Sequence, residues 1–319
     1  MFRVAILDDY QQVALSLADW KSLEPSVEVR AFNDNLVDMA KLAHRLHTFD
    51  AAVLMRERTP FPRALLEQLP NLRLVVTSGM RNAAIDVNAA TERGVLVTGT
   101  DMLPYPTAEL TWGLIIGLLR HIPFEADAMR RGYWQTTLGR GLNGKTLGVL
   151  GLGRLGSQVA AVGKAFGMKA IAWSQNLTAE RAAQAGVALV GKEQLFAESD
   201  VLTIHLVLSD RTRGLVGPAE LGRMKKSAVL VNTSRGPIVD EKALLAALGE
   251  GRIAGAALDV FDREPLPPGH PLRTLDNVLL TPHLGYVLEE NYRIVFPQTV
   301  ENIRAFLAGK PVRAINKVG

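Results

Sequence analysis

The sequence predicts an α/β protein of two doubly wound parallel sheets, with one domain inserted in the other. Three observations predict it. Short β-rich runs alternate with helical patterns along most of the chain, an order that leads to parallel strands covered by helices on both faces. A length of 319 residues is more than one core ordinarily serves. A break carrying Pro104 and Pro106 separates two such strand and helix series.

Taken in order, the first series has strand-like runs at 4–7, 27–32, 51–54, 72–78 and 95–99. Between them Leu36, Met39, Ala40, Ala43 and Leu46 recur at helical spacing. After the proline break, Thr107 stands before Glu109 and a long apolar helix that runs to Arg120. The second series follows, with strands expected at 146–150, 170–173, 201–206, 229–233, 254–261 and 278–281. The tail beyond His283 carries Tyr292, Val295, Val300, Ile303, Phe306 and Leu307 in a helical pattern. It is too short for a third domain and is expected to return to the first. The expected division is therefore 1–102 with 287–319, and 103–286.

Composition narrows the function classes. Hydrophobic residues at 48% and charged residues at 21% are ordinary for a folded chain. The formal charge is +4, but no run of Lys or Arg exceeds the pairs Arg130-Arg131 and Lys225-Lys226, so nucleic acid is not an expected partner. A mildly positive surface favours an anionic cofactor and an acid substrate. Without cysteine there is no disulfide, thiolate catalysis or cysteine-ligated metal; no metal is expected, and the composition suits a reducing cytoplasm. The N-terminus reads as a strand running into Asp8 and Asp9 rather than as a leader, and the longest apolar stretch, 110–119, is too short for a bilayer. No membrane partner is expected.

Gly151-Leu152-Gly153-Arg154-Leu155-Gly156 fits G-x-G-x-x-G between an expected strand and a helix whose Leu155, Val159, Val162 and Phe166 share one face. Gly167 supplies the stop. The first glycine allows the tight turn, the second lets backbone N–H groups approach a pyrophosphate, and the third lets helix and strand pack closely. The helix N-terminus favours phosphate. The expected ligand is a dinucleotide, NAD(P)(H). At the end of the next strand, where a carboxylate would ordinarily accept the ribose hydroxyls, stand Ser174, Gln175 and Asn176. Neutral side chains there remove repulsion against a 2′-phosphate, and Arg154 or Arg181 is a candidate partner for it, so the reading leans to NADP(H). The other reading of Ser174 is a cap for the next turn.

Three later segments each end an expected strand: Asn232-Thr233-Ser234-Arg235-Gly236, Asp259-Val260-Phe261 leading to Glu264-Pro265, and Thr281-Pro282-His283-Leu284-Gly285. Carboxyl ends of parallel strands form the ligand crevice, so these residues are expected to converge. Reducing a ketone requires a proton for the developing alkoxide, which an imidazolium supplies. A carboxylate beside it favours the charged ring and fixes its orientation. A guanidinium matches a substrate carboxylate and polarises the carbonyl.

In this order after the glycine motif, and over nearly the whole chain, the segments resemble the D-isomer-specific 2-hydroxyacid dehydrogenases, including glyoxylate and hydroxypyruvate reductases. The resemblance implies a Rossmann domain inserted in a flavodoxin-like substrate domain. It implies hydride transfer between a nicotinamide and a small 2-hydroxy or 2-keto acid, a CH–OH donor. Arg235 would bind the acid, His283 would be the acid-base residue with Glu264 as its partner, and Asp259 would sit by the nicotinamide carboxamide. Leu206, Thr233, His283 and Gly285 would join Gly151, Gly153, Arg154, Leu155, Gly156 and Ser174 at the cofactor. It also implies a homodimer, for which the helix from Thr107 to Arg120 is the expected interface, unless its apolar face is buried within one subunit.

Departures from the family pattern limit the resemblance. The family's Gly-rich substrate loop is matched only loosely by Ser78-Gly79-Met80-Arg81-Asn82, with Arg81 where glycine is common. Gly79, Met80 and Arg81, with Arg56, are candidates for holding the acid; the two arginines read equally as solvated surface residues. His205, on an apolar run, reads as a core or cleft-lining residue. A nucleotide-sensing corepressor is the rival class; such relatives carry partner-binding extensions, which this chain is not expected to have. Formate-oxidising relatives carry Gln at the position of Glu264, and phosphoglycerate-specific relatives often carry an added regulatory domain.

Overall fold

Strands that are buried on both faces organise the first unit of the computed structural model, which comprises Met1–Leu103 with Leu288–Gly319. The structure describes residues 1–318. The elements are β1 (Phe2–Ile6), β2 (Val27–Ala31), α1 (Met39–Leu46), β3 (Ala51–Leu54), α2 (Arg63–Leu66), β4 (Leu74–Thr77), α3 (Val87–Glu92) and β5 (Leu96–Thr98). All strand pairs are parallel in the order β2-β1-β3-β4-β5, the flavodoxin-like winding. Every residue of β3, β4 and β5 is buried, as a parallel sheet covered on both faces requires. The final helix, Glu289–Leu307, adds Val295, Phe296, Val300 and Ile303 to the buried set. Asn302 Nδ2 donates to Gly99 O at 2.8 Å, and Asn291 Oδ1 accepts from Leu103 N at 3.0 Å.

The second unit, Pro104–Val287, opens with α4 (Pro106–Leu119) and α5 (Ile122–Arg130). It continues through β6 (Thr146–Leu150), α6 (Arg154–Ala165), β7 (Lys169–Trp173), α7 (Ala179–Gln184), β8 (Ala188–Leu189), α8 (Lys192–Glu198) and β9 (Val201–Ile204). Then come α9 (Pro218–Arg223), β10 (Val229–Asn232), α10 (Glu241–Gly249), β11 (Gly255–Leu258) and β12 (Val278–Leu280). The sheet is parallel in the order β12-β11-β10-β9-β6-β7-β8, a Rossmann winding with its switch point between β6 and β9. Alternate residues go to opposite faces: Leu150, Leu202, Ile204, Leu230 and Leu258 to one core, Val149, Val201, Val229, Val231 and Ala257 to the other.

The expected strands at 201–206 and 254–261 are shorter than their apolar runs, ending at Ile204 and Leu258. One residue further the backbone still bonds its neighbours, His205 N donating to Leu150 O at 2.8 Å and Asp259 N to Asn232 O at 3.0 Å; after that it turns to other partners, Leu206 O accepting from Ser234 Oγ and Phe261 N donating to Glu264. Leu36 lies outside α1, because Asp38 caps the helix by accepting from Ala40 N and Lys41 N. The short edge strand β8 was not expected, although Ala188 and Leu189 stand in an apolar run of four; both are exposed at the sheet edge. The expected interface helix is α4, whose Trp112, Leu114, Ile115 and Leu119 are buried within the unit. The exposed apolar side chains follow it instead, on Ile122, Phe124, Met129, Tyr133, Trp134 and Leu138.

Candidate active site

The glycine motif forms a cradle at the switch point. Gly151 has φ +103°, and a Cβ on it would stand 2.8 Å from the carbonyl oxygen of His205. A Cβ on Gly156 would overlap the Gly151 carbonyl oxygen, so helix and strand meet at backbone contact. Gly153, the N-cap of α6, has open space on its Cβ side. Among the described residues no side chain caps α6, and its first turn holds no acidic residue, which leaves its leading N–H groups open to an outside acceptor. These residues fit the pyrophosphate of a dinucleotide. Leu155 is half-buried and Arg154 exposed. Ser174 follows β7, and its carbonyl accepts from Leu177 N at 3.1 Å to begin a turn. Arg181 is exposed on α7.

His205 lies one residue beyond β9, with Nε2 2.9 Å from Thr203 Oγ1. Burial pushes its pKa down to about 4, so the ring is neutral. Its backbone closes the wall behind Gly151. Half-buried, with its backbone against Gly151, it is a cleft-lining histidine, the second of the two roles the sequence left open.

Three strand ends carry the side chains that the sequence singled out as candidates. Beyond β12, Thr281-Pro282-His283 turns so that His283 adopts φ 54°, a left-handed conformation that only surrounding contacts maintain. His283 Nδ1 lies 2.5 Å from Glu264 Oε2, and Glu264 Oε1 accepts from Phe261 N at 2.9 Å. A carboxylate only accepts, so Nδ1 carries the proton of that bond and Nε2 is the ring nitrogen left for chemistry. The ring of Tyr286 meets that of His283 edge-on, 5.7 Å between centroids.

Asp259, fully buried at the end of β11, organises the same turn. Its Oδ1 accepts from Thr281 Oγ1 at 2.6 Å and Leu284 N at 2.7 Å, and its Oδ2 from Gly285 N at 2.8 Å. Burial pushes its carboxyl above the ordinary value, against the pull of those hydrogen bonds and of His283.

The Arg235 turn is built by Asn232, a residue whose role the sequence did not disclose. Asn232 Nδ2 donates to Arg235 O and its Oδ1 accepts from Ser234 N, both at 3.0 Å. Arg235 Nη1 donates to Ser234 O at 2.7 Å. Thr233 is buried against Thr111. Gly236, in the same segment, has a role no local pattern discloses: a Cβ there would overlap the backbone of Phe261.

In the first unit, Arg56 has φ 54°, and its Nη1 lies 3.3 Å from the carbonyl oxygens of Ser78 and Arg81. Its Nη2 lies 3.5 Å from Glu57 Oε1. A Cβ on Gly79, itself at φ +85°, would stand 2.6 Å from Arg56 Nη1, so glycine is favoured there by its backbone and any side chain would displace the guanidinium. Asn82 Nδ2 ties the loop down by donating to Arg56 O and Thr77 Oγ1. The side chains of Met80 and Arg81 are exposed.

Comparison with known proteins gives the family. Residues 112–285 match the family model for the D-isomer specific 2-hydroxyacid dehydrogenase, NAD binding domain. A glyoxylate reductase of Aeropyrum pernix is 45% identical over 264 residues, covering 79% of this chain and 79% of that one. A D-3-phosphoglycerate dehydrogenase of Methanocaldococcus jannaschii is 41% identical over 266 residues, 82% of this chain but 51% of its own length, so the chain spans about half of that relative. The crystal structure of a phosphoglycerate oxidoreductase from Vibrio cholerae matches with a TM-score of 0.92 at 39% identity, covering 97% of this chain and 100% of that one. Fold and site define a nicotinamide-dependent oxidoreductase that acts on the CH–OH group of small 2-hydroxy acids, or on the corresponding keto acids. The chain belongs to the D-isomer specific 2-hydroxyacid dehydrogenases. The relatives are named as reductases and dehydrogenases, which weighs against the nucleotide-sensing regulator. No helix among the described residues is long and apolar enough to cross a membrane.

Proposed function

We propose that the chain reduces glyoxylate or hydroxypyruvate, with Arg235, Glu264 and His283 as its catalytic residues. The observation that carries this reading is the 2.5 Å contact between His283 Nδ1 and Glu264 Oε2, which leaves Nε2 as the proton donor. As the carbonyl oxygen gains charge, His283 Nε2 delivers a proton to it, and Glu264 stabilises the imidazolium that precedes transfer. Arg235 holds the substrate carboxylate through paired N–H donors and draws charge onto the carbonyl oxygen. When bound, the nicotinamide supplies the hydride.

We assign residues 103–286 to the cofactor and residues 1–102 with 287–319 to the acid. Gly151, Gly153, Arg154, Leu155 and Gly156 hold the pyrophosphate; Leu206, Thr233, Asp259, His283 and Gly285 line the nicotinamide. Arg56, Gly79, Met80 and Arg81 contribute to holding the acid, through backbone N–H groups and guanidinium charge. Ser174, with neutral Gln175 and Asn176 beside it and no carboxylate, supports a lean to NADP(H). A panel of 2-keto acids, each run with NADPH and with NADH and followed by nicotinamide absorbance, tests both readings. We expect turnover with at least one acid, and expect His283→Ala to abolish it while dinucleotide binding survives. Cofactor binding without turnover on any acid would favour the regulator.

The exposed apolar side chains after α4, among them Trp134 at 74% and Leu138 at 92% exposure, support a homodimer in which a second copy covers this segment. Light scattering on Trp134→Ser/Leu138→Ser should then report monomers where the parent chain gives dimers; a parent chain that is monomeric sinks the proposal.

A further inference from the structure

Helix α4 carries two threonines one turn apart, Thr107 and Thr111, that belong to none of the motifs above. Thr107 Oγ1 donates to Gly285 O at 2.8 Å. Thr111 Oγ1 donates to Thr107 O at 2.7 Å and lies 2.9 Å from Thr233 Oγ1. The Thr111 hydroxyl has one proton, already given to Thr107 O, so Thr233 donates in that pair. Gly285 is thereby held on both sides, its N–H by Asp259 and its C=O by Thr107. It stands two residues after His283, as Thr233 stands two residues before Arg235. One helical turn thus connects the loop of the proton donor to the loop of the carboxylate binder. The helix is itself anchored to α6, where Trp112 Nε1 donates to Val159 O at 3.2 Å.

A threonine that bonds to the carbonyl four residues back is common in helices and by itself means little. The links from Thr107 to Gly285 and from Thr233 to Thr111 are different, because they join segments far apart in sequence. Thr111 and Thr233 are buried, so water does not readily replace a lost bond. We propose that Thr107 and Thr111 are positioning residues for proton transfer, their hydroxyl ladder setting where His283 stands relative to Arg235. The proposal rests on the catalytic assignment of those two residues.

The test compares Thr107→Val and Thr111→Val, which keep shape and remove the hydroxyl, with Thr107→Ser and Thr111→Ser, which keep the hydroxyl. Each valine variant should lower kcat about tenfold or more, since small misplacements of reacting groups are costly. Because Thr233 and Gly285 are also assigned to the nicotinamide, the KM for the dinucleotide is expected to rise, by a smaller factor than kcat falls, and each serine variant should restore most of kcat. The double valine variant should lose less than the product of the single losses, because both act through one ladder. Valine variants with undiminished kcat, serine variants that fail to rescue, or a loss matching the unfolded fraction seen by circular dichroism would each overturn the ladder. His283→Ala, run alongside, separates the two ideas. Turnover surviving in it overturns the catalytic assignment and the ladder together, whereas its loss beside a fully active Thr107→Val overturns the ladder alone.

Discussion

The backbone of Gly236 rests on that of Phe261, so closely that a Cβ on Gly236 would stand 2.5 Å from the next nitrogen, that of Asp262. The turn carrying Arg235 is therefore stacked on the turn carrying Glu264, whose Oε1 is held by Phe261 N at 2.9 Å. Gly236→Ala must force the two apart. Steady-state kinetics should show kcat/KM lower by about a hundredfold, the scale of an ångström-sized misplacement, with the dinucleotide KM little changed.

Asp259 receives three hydrogen bonds through two oxygens. Asp259→Asn turns one acceptor into a donor, and an amide nitrogen in the Oδ2 position would face the N–H of Gly285. A buried donor left unpaired costs about 1–3 kcal/mol, so the urea midpoint should fall, and kcat with it as the His283 turn loosens. Unchanged stability and kcat would show that the turn is held by other contacts.

His205 links stability to pH. Its folded pKa is lowered from 6.5 to about 4, so between those values the unfolded chain binds the extra proton. Its contribution is present above the unfolded value and is lost as pH falls through the window, amounting to about 3 kcal/mol once pH is below the folded value. His205→Gln should therefore lose less stability than the parent between pH 7 and pH 4.5, values on the order of those limits. Equal losses in paired urea titrations would remove His205 from the account.

Gly79→Ala would place a Cβ 2.6 Å from Arg56 Nη1 at a φ of +85°. The left-handed backbone alone costs about 1–3 kcal/mol, and the guanidinium must move. Thermal unfolding should report the first effect. A rise of about tenfold in the KM for the acid, with the dinucleotide KM unchanged, would follow the second, on the scale of about 1.4 kcal/mol.

Much of the candidate site was legible because its signals are local. Gly151, Gly153 and Gly156 repeat at the spacing of a phosphate turn, and the strand before them shows as an apolar run. Arg235, Glu264 and His283 were legible as residue types that close three such runs. Asn232 and Gly236 stood inside a quoted motif and were still unread, because their partners, the Ser234–Arg235 turn and the Phe261 backbone, are visible only once the chain is folded. The strands read longer in the sequence than in the structure because Leu206, Val260 and Phe261 extend the apolar pattern past the last sheet hydrogen bonds, those of His205 N and Asp259 N. The apolar pattern of α4 marked it as a helix but could not say what covered it; its own unit does.

By itself the sequence determined the alternation of elements, the glycine cradle and the three chemical groups, since each depends on residues within one turn or one strand. Only the tertiary structure decided how those groups are held: His283 by Glu264 and by a turn pinned to Asp259, Gly285 by Thr107, and Thr233 by Thr111. The physical reason is that a hydrogen bond between residues 107 and 285 leaves no periodicity behind, and its partners become neighbours only when the sheet has brought their strand ends to one edge.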